Sequence, residues 1–126
     1  MRSTIAIIVG FVLLIFCSLY VTNKINTTSE NILAELSEAE VQLRANDWEV
    51  ALLKINETYE QWSVAKNWWA MILNHSTINN IEISYLRLQQ YAGHKDQALA
   101  MAELKTLLLL LKDVPESEAL RLNNIL

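Results

Sequence analysis

The chain has 126 residues, of which 52% are hydrophobic and 19% are charged, and its formal net charge at pH 7 is −4. After Arg2 it carries nine Lys and Arg residues against fourteen Asp and Glu residues. Such an acidic surface argues against binding of nucleic acid, and against charge-driven binding to anionic lipid. The single cysteine excludes a disulfide framework.

The first element is an uncharged segment from Ile5 to Val21, with the sequence IAIIVGFVLLIFCSLYV. As a helix with ~1.5 Å rise per residue it is roughly 26 Å long, near the short end of what crosses the hydrocarbon core of a bilayer. We therefore expect four parts: a cytoplasmic tail at 1–4, a transmembrane helix at 5–22, a juxtamembrane linker at 23–28 and a helical domain at 29–126.

A cleaved secretory signal and a lipid attachment site are the alternatives to an uncleaved anchor. A signal peptide needs small residues before the cut, whereas cuts after Ser18 and Thr22 place Phe16 and Tyr20 at the −3 position. Lipid attachment would use Cys17, but Phe16 stands where a small residue is needed. Both departures favour the uncleaved anchor.

The charges beside the span predict its orientation. The amino terminus and Arg2 precede it, and Lys24 follows it before the acidic Glu30 and Glu35. Because positive charge favours the cytoplasmic side, we expect a single-pass protein of the cell membrane with a cytoplasmic N-terminus and an extracytoplasmic domain.

Gly93 and Pro115 are the only glycine and proline after the span. So few helix breakers in a chain rich in Leu, Ala and Glu predict an all-α domain. Apolar residues at alternating spacings of three and four predict a first helix from Ser29 to Ala45. The alternative, in which the membrane helix continues through 23–28 into this helix, stays open.

A second helix is predicted from about Asp47 to Leu73, with Asn46 or Asp47 as its cap. Large apolar residues repeat along it every seven positions, which is typical of a face that packs in a core. We predict that these residues form the bundle core: Trp48, Ile55, Trp62 and Trp69.

A second stripe on the same helix has spacings of four, three and four, and its members are Val64, Trp68, Met71 and His75. Either this half of the helix lies centrally between its neighbours, or the stripe is an exposed contact patch. Aromatic and methionine side chains are enriched at protein interfaces. We therefore take these four residues as candidate contacts for a partner or a ligand.

A third helix is predicted over 77–91, ended by Gly93 in the left-handed conformation. A fourth is predicted over 96–112, and Pro115 then starts a short C-terminal helix. The turn-and-helix stretches at 46–52 and 93–99 are similar. They predict two antiparallel helical hairpins, and so an antiparallel four-helix bundle. A tetratricopeptide-like hairpin pair is the alternative, although that repeat has a period of about 34 residues and needs several copies.

Catalytic, cofactor-binding and metal-binding motifs are absent from the sequence. His75 would need converging partners for metal or acid–base chemistry, and the nearest acid, Glu82, is seven residues away. We expect a capping or packing role for His75, and neither enzymatic activity nor a cofactor. Asn79, Asn80 and Glu82 are expected to cap the third helix or to bond the loop before it.

Several stretches together are similar to a known family: WWAMILNH at 68–75, INNIE at 78–82, AELKTL at 102–107, VPE at 114–116 and LNNIL at 122–126. Over nearly the whole chain they resemble the bacterial family catalogued as domain of unknown function 4363. The resemblance implies a small protein of Gram-positive bacteria with an N-terminal membrane helix and a helical remainder. It implies no activity, substrate or catalytic residue.

The chain departs from this family at Ser76-Thr77, where a more acidic or polar pair is expected, and at Ala92-Gly93-His94, where charged residues are usual. The first departure makes metal or acid–base chemistry near His75 less plausible. The resemblance also implies a gene that neighbours one for a small multi-spanning membrane protein, which fits the role of a subunit.

Two functions follow from these features. The first is an interaction or accessory module, held at the outer face of the membrane, that binds an integral membrane partner or a second copy of itself. The alternative is a ligand-binding, sensor-like domain with a pocket between helices near the tryptophans. Because only 1–4 would lie on the other side of the membrane, a sensor would need a partner to signal.

Overall fold

The computed structural model describes the backbone of residues 1–71 and 73–125, and their side chains except those of Trp68 and of 115–125. The described residues form four helices and no strand: α1 Arg2–Arg44, α2 Trp48–Trp69, α3 His75–Gly93 and α4 Gln97–Ile125. This confirms the predicted all-α fold.

The helices pack as an antiparallel bundle. α1 lies against α2 and α4, and α3 lies against the same two helices. Short connections at both ends make successive helices antiparallel neighbours. Apolar side chains from all four helices fill the space between them, and the largest that are fully buried are Trp62, Trp69 and Tyr85.

α1 is one helix of 43 residues that contains both the apolar segment and the first helix of the bundle. The two alternatives for residues 23–28 were a linker and a continuous helix, and the structure has the continuous helix. The sequence from 11 to 44 has no Gly or Pro to interrupt it, and Thr27 Oγ1 donates to the Asn23 carbonyl at 2.9 Å within the helix. The part in the bundle buries one stripe at spacings of three and four: Ile25, Ser29, Ile32, Leu36, Ala39 and Leu43.

The connection between α2 and α3 differs from the prediction at both ends. α2 ends at Trp69, before the predicted Leu73, and α3 already begins at His75. Asn74 is the N-cap, because its side chain accepts a hydrogen bond from the Ser76 backbone N–H at 2.9 Å. Asn79 and Asn80, which were expected at the start of this helix, lie exposed within it.

The turns that follow α1 and α3 have the same backbone hydrogen bonds. After α1, Asn46 has φ 60°; its N–H donates to the Leu43 carbonyl at 3.2 Å, and the Asp47 N–H donates to the Gln42 carbonyl at 2.9 Å. This pair of bonds is the Schellman motif, which closes a helix through one left-handed residue.

After α3, the left-handed residue is Lys95, with φ 57°. Its N–H donates to the Ala92 carbonyl at 3.1 Å, and the Asp96 N–H donates to the Tyr91 carbonyl at 2.9 Å. The predicted left-handed Gly93 is therefore wrong: it is the last residue of α3, and its φ is not positive. The similarity of the two turns is real, but Asn46 corresponds to Lys95 instead of Gly93.

α4 is a single helix from Gln97 to Ile125, so the C-terminal segment continues it and does not form a separate short helix. Pro115 lies inside α4, and because proline has no N–H the Leu111 carbonyl loses its helical donor. Ser29 of α1 supplies another: its Oγ donates to that carbonyl at 2.8 Å, and the side chain is fully buried. This bond helps α4 to continue through a proline.

Candidate functional site

The face of α2 with a repeat of seven points into the bundle. Ile55, Trp62 and Trp69 are fully buried, whereas Trp48 in the first turn is partly buried against the core. The rings of Trp62 and Trp69 meet edge to face with their centroids 5.5 Å apart. The ring of Trp62 also stacks on that of Tyr85 of α3, with the centroids 6.5 Å apart. Aromatic pairs in such geometries stabilise a core beyond their buried area. These side chains hold α2 in the bundle.

The polar side chains between α2 and α3 meet at Glu82. Tyr59 Oη donates to Glu82 Oε1 at 2.5 Å, and Trp62 Nε1 donates to Oε2 at 2.8 Å. Lys66 Nζ lies 3.4 Å from the same Oε2. Spacings of three and four place the three donors on one face of α2. The Glu82 side chain is 23% exposed, so the cluster is a partly buried carboxylate with three donors.

The surroundings of Glu82 keep it ionised. Burial raises the pKa of this carboxyl, but the hydrogen bonds from Tyr59 and Trp62 and the charge of Lys66 together outweigh burial, and the pKa lies below its ordinary value. The hydrogen bond to Glu82 in turn raises the pKa of Tyr59. The cluster therefore joins α2 to α3 through a charged carboxylate with three donors.

A second set of bonds joins the same helices one turn away. Tyr85 Oη donates to Thr58 Oγ1 at 3.2 Å, and Thr58 Oγ1 donates to the Ile55 carbonyl at 2.9 Å. Burial raises the pKa of Tyr85, which keeps its hydroxyl protonated. The rings of Tyr59 and Tyr85 meet edge to face at 5.3 Å. The α2–α3 interface is thus held by polar and aromatic contacts at specific positions.

Three of the four predicted contact residues lie outside this interface. Val64 is 74% exposed and Met71 is 82% exposed, and His75 is exposed as the first residue of α3. The side chain of Trp68 lies outside the described residues. Where the stripe is described, it is on the surface and not between neighbouring helices. Its role in contacting a partner stays a prediction.

Leu53 belongs to the same outer face and was missed. Its side chain is 58% exposed, and at 3.6 residues per turn it lies about three turns before Val64 on nearly the same line along α2. Met71 follows in the turn after α2. The signal in the sequence was the spacing of Leu53, Val64 and Met71 by eleven and seven. The outer face of α2 thus carries apolar side chains near both of its ends.

The role of Glu82 was also missed by sequence reasoning, which placed it at the start of α3 as a cap or a loop contact. Tyr59, Trp62 and Lys66 at spacings of three and four are a signal for three donors on one face. Which acid on another helix they meet depends on how far α3 is shifted along α2. That shift is set by how the helices pack, and it cannot be predicted from the spacing of the donors along α2.

Among the residues that the structure describes, no group of three or more His, Cys, Asp or Glu side chains is placed to hold a metal ion. Glu40 of α1 instead accepts from two cations, with Oε1 at 2.8 Å from an Arg44 nitrogen and 2.7 Å from Lys105 Nζ of α4. The hydrogen bond from Lys105 lowers the pKa of Glu40. This contact joins α1 to α4 at the surface.

The comparison with protein families gives a match. The model of a family described as a domain of unknown function, DUF4363, matches residues 19–125. The matched range begins near the end of the apolar segment and covers the whole bundle, including the candidate contact residues. Comparisons with curated proteins and with solved structures found no match.

Proposed function

The chain belongs to the DUF4363 family, and we propose that it is a single-pass membrane protein whose extracytoplasmic bundle is an accessory module for an integral membrane partner. The observation that carries the proposal is the continuity of α1, a helix of 43 residues that enters the bundle without a break. A continuous helix holds the bundle at one height above the bilayer. The contact patch would then be presented at the level of the membrane surface.

The apolar part of α1 supports the membrane anchor. Of the helices described, α1 is the one long and apolar enough to cross a bilayer, and its apolar window has no buried residue. Large apolar side chains on all sides of the helix are exposed between Ile5 and Tyr20. A helix that is apolar all round is stable when lipid or protein surrounds it. The bundle does not cover this segment, so lipid is the environment that fits it.

The exposed side chains of Val64 and Met71 support a contact with a partner. Val64 lies on the outer face of α2 near its C-terminal end, and Met71 follows in the turn after Trp69. Anchoring in the membrane raises the effective concentration of a partner in the same membrane, so a small apolar patch is sufficient for association. Trp68 and His75 belong to this patch by sequence spacing.

The test is affinity purification of the full-length chain from its own membranes in a mild detergent, read by mass spectrometry. The purification is then repeated with the affinity tag on the partner that it identifies. We expect a near-stoichiometric integral membrane protein with the wild type, and its loss with Val64→Ser/Met71→Ser. The matched control is Leu109→Ser, at a 60% exposed position of α4. Recovery of the chain alone, or equal recovery of the partner with the double variant, would contradict the proposal.

The ligand-binding alternative stays a prediction with its own test. Binding between helices near the tryptophans would change their environment, because Trp62 and Trp69 are fully buried there. Tryptophan emission and the melting temperature of the full chain would shift with a ligand from a panel of metabolites and cell-wall fragments. A panel that leaves both unchanged argues against this alternative.

A further inference from the structure

Two hydrogen bonds set how far α2 is shifted along α1. Lys54 Nζ donates to Glu38 Oε2 at 2.7 Å, and Gln61 Nε2 donates to Glu35 Oε2 at 2.9 Å. Because the helices are antiparallel and have the same rise per residue, each residue farther along α2 is level with a residue one position earlier in α1. Counted from these two pairs, the end of α2 at Trp69 is level with about residues 23–27 of α1.

Contacts at this end of the bundle agree with that count. Val21, the last residue of the apolar segment, packs against the core, and Ile25, one turn later, is fully buried. α4 reaches the same level, since Ser29 Oγ bonds the Leu111 carbonyl. α1 and α2 therefore pack together from the end of the apolar segment onwards, without a stalk between them.

The described residues of the α2–α3 connection, 70–71 and 73–74, thus lie close to the end of the span. At ~1.5 Å rise per residue, residues 23–27 of α1 lie roughly 3–9 Å beyond Val21 along the helix axis. The headgroup layer of a bilayer is about 5–7 Å thick on each side of a hydrocarbon core of about 30 Å. Since the apolar segment is roughly 26 Å long, this core extends slightly beyond it. The connection is therefore at the height of the headgroups.

The side chains at this end fit a lipid surface. Met71 is, at 82%, the most exposed large apolar side chain described in the bundle. The chain has fourteen acidic residues, yet none lies between Glu60 and Glu82, where Lys66 is the single charged residue. Carboxylates are strongly disfavoured near the apolar layer. In the two helices that this connection joins, the ends nearest to the span are therefore without carboxylates, whereas α4 brings Asp113 to the same end of the bundle.

We propose that the α2–α3 connection rests in the headgroup layer of the bilayer that holds α1, with Met71 as its apolar contact with lipid. The inference rests on the proposed membrane span. It assigns a second, peripheral membrane contact to the bundle, which limits rotation of the bundle about α1. Val64 lies five residues before the end of α2 at Trp69, or roughly 7 Å farther from the bilayer. It stays above the headgroups, so an integral membrane partner would contact Val64 there and Met71 at the membrane surface.

The test measures membrane depth in the full chain with Cys17→Ser and one new cysteine at a time: Met71→Cys, Leu53→Cys or Leu13→Cys. Each carries an environment-sensitive dye and is reconstituted into phosphatidylcholine vesicles at low protein-to-lipid ratio. Quenching by lipids with brominated acyl chains and by aqueous iodide is then compared. Leu53 is the matched control, because it is exposed on the same face about five turns, or roughly 27 Å, farther from the span.

We expect the dye at position 71 to be quenched by brominated lipid, and its iodide quenching constant to be about threefold lower than at position 53. Equal quenching at positions 71 and 53, with position 13 still quenched by lipid, would overturn this inference and leave the span intact. Iodide quenching at position 13 would refute the span itself. Shielding of position 71 that disappears as the protein is diluted in lipid would indicate a contact with a second copy, and would overturn the proposal.

Discussion

Ser29 of α1 donates a hydrogen bond of 2.8 Å to the Leu111 carbonyl of α4, and this carbonyl is the one that Pro115 deprives of its helical donor. The two residues are 82 positions apart in the chain. A proline inside a helix normally costs about 3 kcal/mol, in part through the lost bond. Here a buried hydroxyl on the neighbouring helix satisfies the carbonyl, and the same bond fixes how α4 lies along α1.

Removing this hydroxyl should therefore destabilise the bundle, and the effect should depend on Pro115. Ser29→Ala is expected to lower the free energy of unfolding by about 1–2 kcal/mol, because the buried Leu111 carbonyl is left without a donor. In a Pro115→Ala background the residue-115 N–H is restored, and the same change should cost about half as much or less. Thermal unfolding of the full chain in detergent, followed by circular dichroism, measures both. Additive effects of the two changes would contradict this coupling.

The residues that face the core could be predicted from the sequence, because periodicity alone decides which side of a helix is apolar. Ile55, Trp62 and Trp69 repeat every seven residues, and all three are fully buried. Trp48 continues the repeat, but it lies in the first turn of α2, where neighbours on one side are missing, and it is partly buried.

The errors concern places where a distant contact outweighs a local preference. Pro115 predicts a helix end on local grounds, and the compensating hydroxyl of Ser29 lies on another helix. Gly93 is the residue best suited to a left-handed conformation, yet Lys95 takes it. Both backbone bonds of the Schellman motif form from there, and they offset the steric cost of a side chain. The periodicity of apolar residues predicts neither the bond from Ser29 nor the bonds of the Schellman motif.

The carboxylate of Glu82 should contribute to stability through its three donors. Glu82→Gln keeps the shape but removes the charge, and it leaves Lys66 without its ion pair and one α2 donor without a matching acceptor. We expect the free energy of unfolding to fall by about 1–3 kcal/mol. Glu60→Gln, at an exposed position of α2, is the control and should change it by less than about 0.5 kcal/mol. Equal effects of both variants would contradict the role of the cluster.

The pKa of Glu82 also predicts how stability depends on pH. Because this pKa lies below its ordinary value of 4.5 in the folded chain, its stabilisation is present above that value and is lost as the pH falls through the lower, folded value. Melting temperature measured from pH 7 down to pH 3 should therefore fall below about pH 4.5, and less so for Glu82→Gln. The lowered pKa of Glu40 acts in the same direction, so the double variant with Glu40→Gln should reduce the slope further. A Glu82→Gln profile parallel to the wild type would contradict this assignment.

Two buried hydroxyls of the bundle should respond to removal in opposite directions. Ser84 Oγ is buried and has no hydrogen-bond partner among the described residues, whereas Thr58 Oγ1 accepts from Tyr85 and donates to the Ile55 carbonyl. Ser84→Ala should raise the free energy of unfolding by about 1 kcal/mol, since the cost of burying an unpaired hydroxyl disappears. Thr58→Val should lower it by about 1–2 kcal/mol, since Tyr85 loses its acceptor. Denaturant unfolding of the full chain in detergent checks both, and a loss of stability with Ser84→Ala would show that its hydroxyl has a partner.

The outer face of α2 should contribute little to stability, which separates its role from that of the inner face. Val64→Ser and Met71→Ser remove side chains that are exposed in the folded chain, and each should change the free energy of unfolding by less than about 0.5 kcal/mol. Trp62→Ala empties a fully buried position and should cost about 3–5 kcal/mol. Thermal unfolding of the three variants in the same detergent measures this difference. If the serine variants unfold as easily as Trp62→Ala, their loss of a partner in purification would reflect unfolding and not a contact surface.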